Sequence, residues 1–239
     1  MRSVDKGDSP RPQDFENYRD ALPDLVARLG LYCSYCERTS NTDLAVEHIQ
    51  PQSLHPDLEG RWDNFLRGCV NCNSTKGDRD VVLSDCLLPD RDNTFAAYVY
   101  LEDGRVETAP NLTPDQSQWA NETLHLTGLD QQARNSRESN GELVALDRVG
   151  QRMQCWLSAE KARETLASNP TEKIRRLIAT YAAAQGFFSI WMAVFSDDVE
   201  QRRLFIHAFR GTATDCFADE DNGVVSPRRT NRLTNGGKL

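Results

Sequence analysis

Two Cys-x-x-Cys pairs, Cys33-Ser34-Tyr35-Cys36 and Cys69-Val70-Asn71-Cys72, stand 32 residues apart in a chain of 239. Each pair can turn two thiolates toward one tetrahedral ion, so together they complete a four-sulfur site with no open position. Closed coordination is structural. It lets a segment of ~40 residues with few large apolar groups hold a shape. The competing reading is of redox pairs or incidental thiols. The opening Met1–Asp8 has no apolar stretch after its charges, so no secretory leader is expected, and no apolar run reaches ~18 residues. The expected compartment is therefore the reducing cytoplasm, where paired cysteines favour a metal, here Zn2+. Cys86, Cys155 and Cys216 lack partners at ligand spacing and read as plain thiols.

Around this frame the pattern predicts an α+β chain: a zinc-stapled strand-strand-helix module, a β-hairpin, then a mostly helical half. Gln13–Gly30 has apolar residues at helical spacing with Gly30 as its cap, although Pro23 can divide it into two short helices. Leu44–Ile49 alternates like a strand and ends before Pro51. Phe95–Thr108 reads as a hairpin around Asp103-Gly104. Thr113-Pro114-Asp115-Gln116 opens a helix with Thr113 as N-cap. Helices follow to about Phe217, with breaks expected near Gly128, Gly150, Asn169-Pro170 and Ser196-Asp197. The division is 1–110 for the stapled module and hairpin, 111–217 for the helical part, and 218–239, polar and rich in Gly, Asn and Arg, as a disordered tail.

Between the cysteine pairs lie Val46-Glu47-His48-Ile49-Gln50-Pro51 and Trp62-Asp63-Asn64-Phe65, and Cys72 is followed by Asn73-Ser74-Thr75-Lys76-Gly77. Over Leu31–Arg79 this ensemble resembles the HNH endonucleases, in which two strands and a helix cradle one divalent ion (the ββα-metal fold). The chemistry asks for these residue types. Phosphodiester hydrolysis needs a base for water and positive charge where the phosphate gathers negative charge. An ordinary imidazole titrates near ~6.5 and can accept that proton. Carboxylate and amide oxygens suit Mg2+ or Mn2+. The resemblance implies His48 as general base, Glu47 and Asn73 as holders of the catalytic ion, Asn64 as the residue that orients the base and its loop, and Lys76 as a phosphate contact. Asn73 stands where the family often has His and is a weaker ligand. Adjacent strand residues face opposite ways, so Glu47 and His48 share a site only if the strand bends. Outside this frame His55, His125 and His207 read as ordinary surface histidines.

Charge sets a further constraint. Residues 1–110 carry 12 Lys and Arg against 20 Asp and Glu, while residues 111–239 carry 16 of each. An acidic module binds nucleic acid poorly without a basic rim or a partner. Met1–Gly7, Gly30–Cys33, Asp103–Val106 and Thr123–Leu126 together resemble the nuclease subunit of Septu-type anti-phage systems. That resemblance implies DNA as substrate, an ABC/SMC-like ATPase as partner and the helical half as its docking surface. Gly186–Met192 is apolar enough to be such a surface if exposed, or core if buried. The alternative to an enzyme is a non-catalytic zinc-stapled module that binds nucleic acid or protein.

Overall fold

The N-terminal helical stretch is divided in two beside Pro23, the division the sequence allowed. In the computed structural model, which describes residues 1–40, 42, 44–130, 136–137, 143–144, 148–229 and 231–239, a 3-10 turn at Tyr18–Ala21 runs into α1, Leu22–Leu29. Pro23 occupies its first turn, where a missing N–H is harmless. Gly30, at φ +77°, closes it. Residues 13–17, which the predicted helix included, lie outside the observed one. There Phe15 packs against Trp62 and Phe65, at centroid distances of 6.1 and 6.0 Å.

β1 (Leu44–His48) pairs antiparallel with β2 (Phe65–Cys69), Glu47 opposite Leu66 and His48 opposite Phe65. β2 leads directly into α2 (Val70–Lys76), and Cys69 is that helix's N-cap residue. The expected strand-strand-helix unit is therefore present. Lys6 ties the N-terminal segment to it: its buried ammonium pairs with Asp90 at 2.7 Å and donates to Phe65 O at 2.7 Å.

A short helix, α3 (Thr94–Ala97), precedes the hairpin of β3 (Tyr98–Tyr100) and β4 (Val106–Thr108), so the hairpin starts three residues later than its β-rich composition predicts. α4 (Pro114–Thr127) has the full capping box of Thr113 and Gln116, and Gly128 ends it in the left-handed region. β5 (Ser136–Arg137) and β6 (Leu143–Val144) make a two-residue pair. Then come α5 (Arg148–Ser168), α6 (Glu172–Gln185), α7 (Phe188–Val194) and α8 (Val199–Ala208). The break expected at Gly150 is not there. Glycine in a helix costs only about 1 kcal/mol, and Gly150 lies in the first described turn of α5, which packs along α7.

Ile174–Phe195 forms the expected core of the helical part, and Gly186–Met192 is buried core, not an exposed patch: Phe188, Ile190, Trp191 and Met192 are all shielded. This core continues across residue 110. Phe95 packs on Phe188 and Phe217, and Val4 bridges to Thr212.

The segment after Ala218 differs from the disordered tail its composition predicts. Arg228 donates to Val4 O and pairs with Asp215, both at 3.1 Å. Lys238 donates to Leu83 O at 2.7 Å, and Leu239 is buried. Polar anchors hold this stretch where apolar area is scarce, and composition does not reveal such anchors.

Candidate active site and metal centre

At the β2–α2 junction the two cysteine pairs meet. The sulfurs of Cys33, Cys36, Cys69 and Cys72 lie within 4.8 Å of one another and all four residues are buried. A zinc tetrahedron with ~2.3 Å bonds has sulfur–sulfur edges of about 3.8 Å, and Cys36 and Cys69 are 3.7 Å apart. Contact with Cys33 and the other sulfurs pushes the Cys36 and Cys72 thiols up and the Cys69 thiol down. A dication would offset half of the charge that four thiolates carry in this space, so the set fits a tetrathiolate ion.

The opposite end of the same unit holds the remaining candidates. A cleft of about 270 Å3 is lined by Tyr18, Glu47, His48, Asn73, Lys76 and Asp78, among others. His48 is the last residue of β1. The chain turns at Ile49 and Gln50, and Glu47 and His48 thereby border the same space. Asn73 and Lys76 are three residues apart on α2 and enter from the helix side.

His48 is held on three sides. Its Nε2 is 2.9 Å from Glu59 O, a carbonyl that can only accept, so in the neutral ring Nε2 carries the proton and Nδ1 is the basic nitrogen. Phe65 and Tyr18 stand edge-on to the ring, at centroid distances of 5.2 and 4.8 Å. Burial pushes the imidazole below its ordinary value, against the Glu59 carbonyl, which pulls it up.

Among the described residues, no hydrogen bond joins the Asn64 side chain to His48. Its Oδ1 accepts from Gln50 N at 2.8 Å, its Nδ2 donates to Gln50 O at 2.9 Å, and its own carbonyl accepts from Ile49 N at 2.8 Å. It clamps the loop that leaves His48.

Glu47 and Lys76 are 1% and 2% exposed, and Oε1 lies 3.1 Å from Nζ. Burial raises the Glu47 carboxyl and the Lys76 ammonium opposes it. Lys76 is thus engaged with Glu47 instead of facing solvent as a phosphate contact. The next cation is also occupied: Arg79 donates to Thr75 O and Leu126 O, both at 2.7 Å, stapling α2 to α4. Among the described residues, Lys76 is the one lysine or arginine lining the cleft. His55 pairs with Asp80 at 2.8 Å and His125 with Asp130 at 2.9 Å, both outside the cleft lining.

Residues 33–79 match the HNH endonuclease family model. That segment is about a fifth of the chain and holds both cysteine pairs, β1, β2 and α2. Members of the HNH family are in general nucleases. No curated protein matches the chain.

Three residues that serve the HNH segment escape a motif-based reading. Tyr18 lies outside the segment and only the fold brings it to His48. Glu59 acts through its backbone carbonyl, which no side-chain pattern reveals. Gly68 sits so close to Glu47 that a Cβ there would fall 2.9 Å from the Glu47 Cβ. Its place beside Cys69 was the one available signal, because a glycine inside a strand often marks close approach.

Proposed function

We propose that this chain is a metal-dependent HNH endonuclease that hydrolyses nucleic-acid phosphodiesters, with DNA as the substrate. The observation that carries this reading is the convergence of His48, Glu47 and Asn73, from strand and helix, on one cleft. His48 takes the proton of the attacking water at Nδ1. Glu59 O and the two aromatic rings fix the imidazole plane, and Asn64 holds the following loop. Glu47 and Asn73 would hold Mg2+ or Mn2+, whose chemistry is to stabilise negative charge gathering on the phosphate. The four cysteines would hold Zn2+ as a structural ion.

The test is plasmid nicking with Mg2+ or Mn2+, wild type against His48→Ala, with zinc content measured in both. A positioned base contributes ~10²–10⁴-fold, so cleavage should fall by that factor while zinc is retained. Unchanged cleavage in His48→Ala would remove His48 from the reaction. A non-catalytic module needs only the four cysteines, and the ordered surroundings of His48 and Asn64 favour the enzyme.

The acidic cleft, with its cations engaged internally, supports dependence on a partner that grips DNA. We propose an ABC/SMC-like ATPase in an anti-phage complex, docked on the helical part, in the cytoplasm. Among the described residues no helix is long and apolar enough to cross a membrane. Co-expression with such an ATPase should yield a complex whose nicking exceeds that of the chain alone; an inert or unassociated pair would argue against it.

A further inference from the structure

We infer that Lys76 is a built-in counter-cation for Glu47 that a divalent ion must displace, so that ion and phosphate enter the cleft together. The inference rests on the nuclease reading and deepens it.

The observations are the burial of both side chains, the 3.1 Å contact between Nζ and Oε1, and the position of both beside Asn73 in one cleft. Among the described residues, Glu47 Oε1 has no hydrogen-bond partner apart from that ammonium. Among the lining residues Glu47 is the buried carboxylate and Lys76 the one lysine or arginine, while Asp78 is exposed at the mouth. A buried ammonium against a buried carboxylate leaves no net charge. A divalent ion taking the same carboxylate adds two positive charges next to Nζ, and like charges in a poorly solvated site repel strongly.

Two things relieve that repulsion. The lysine can swing away on its flexible stem, and a phosphodiester can supply one negative charge to receive it. The residue the family resemblance placed on phosphate would then reach it only after Glu47 is taken by the ion. Such an arrangement makes ion binding weak without nucleic acid and strong with it, which is a reciprocal coupling between two ligands of one cleft.

The sign of the effect is unusual for an active-site lysine: removing it should tighten metal binding while slowing cleavage. Mn2+ binding to the zinc-loaded full chain, read by the electron paramagnetic resonance of free Mn2+, tests this without any turnover. Lys76→Met should bind Mn2+ about tenfold more tightly than wild type in the absence of DNA. Adding a short duplex, with His48→Ala in both backgrounds to prevent cleavage, should tighten Mn2+ binding in wild type more than in Lys76→Met.

Glu47→Gln combined with Lys76→Met should abolish the gain. Lys76→Gln serves as a second variant, with zinc content and a thermal melt confirming the fold of each. Equal Mn2+ affinity in wild type and both lysine variants, still lost with Glu47→Gln, would overturn the counter-cation and leave the metal site standing. Mn2+ binding indifferent to Glu47→Gln in every background would remove the metal site itself, and this inference with it.

Discussion

The two ends of the β1–β2–α2 unit handle charge in opposite ways. At the cysteine end, arginines from three parts of the chain surround the sulfurs. Burial works against the Arg38 cation, yet Cys69 and its neighbours hold it above its ordinary value. Burial lowers Arg67 to about 10, opposed by Cys33, and lowers Arg152, opposed in part by Cys36 and Cys72. Arg152 comes from α5, and Glu37, inside the first knuckle loop, accepts from Ser189 N at 2.8 Å on α7. At the cleft end every lining residue lies between 18 and 78, and the one buried carboxylate is matched by one lysine. The helical part therefore braces the cysteine site and leaves the cleft open. Among the described residues, arginine charge gathers at the cysteine site, while the one lysine lining the cleft is taken by its own carboxylate.

Breaking the cysteine end should have the largest effect. Cys69→Ser is expected to lose one equivalent of zinc and the cooperative melt, since structural zinc contributes on the order of 10 kcal/mol of folding free energy. His48→Ala should keep both. Zinc analysis and thermal unfolding of the two variants check this, and a Cys69→Ser protein that melts like wild type would end the structural role. Arg152→Met should be next, at about 3 kcal/mol, because it removes a buried cation from anionic sulfurs and a donor from Gly104 O. The direct readout is the rate at which a chelator strips zinc. No acceleration would mean that the arginines only fill space.

At the open end, Asn64→Ala removes two hydrogen bonds to Gln50 and should cost about 2 kcal/mol. Nicking should fall by more than stability predicts, because the loop that follows His48 loses its clamp, and zinc should stay bound. If nicking survives at the wild-type rate in the folded variant, Asn64 supports the loop without orienting the base.

How much of this could be read from sequence follows the same divide. The cysteine frame, Glu47, His48, Asn64, Asn73 and Lys76 are local in sequence, and their meeting depends on one strand pair and one helix that the motif resemblance implied. Thr113 and Gly128 likewise mark α4 through backbone rules that act within a few residues. Tyr18, Glu59 O and, at the sulfurs, Arg152 depend on tertiary contacts across roughly ten to more than a hundred residues, where periodicity carries no information. Lys76 shows the limit best. Its identity was legible, but its direction was not, because an ammonium three residues past Asn73 can face solvent, phosphate or carboxylate, and packing decides among them. The segment after Ala218 failed for a related reason: composition measures apolar area, while that stretch is fixed by Arg228, Lys238 and backbone bonds.

The smallest effect separates a half-buried histidine from an exposed one. An exposed imidazole would titrate near ~6.5. Burial between Tyr18 and Phe65 lowers the His48 value, so in the folded protein the ring stays neutral to a lower pH. If His48 is the base, cleavage falls as pH drops through this depressed value, and the acid limb of the rate–pH profile lies below ~6.5. Stability has the same sign. Between the depressed value and ~6.5 the unfolded chain binds the proton that the fold excludes, so the contribution of His48 is complete above ~6.5 and lost as pH falls through the folded value. Tyr18→Ala opens one side of the ring to water and should move the limb back toward ~6.5, whereas Tyr18→Phe keeps the edge contact and should not. A limb at or above ~6.5 in wild type, unmoved by Tyr18→Ala, would show that the cleft solvates its base fully and that some other group sets the profile.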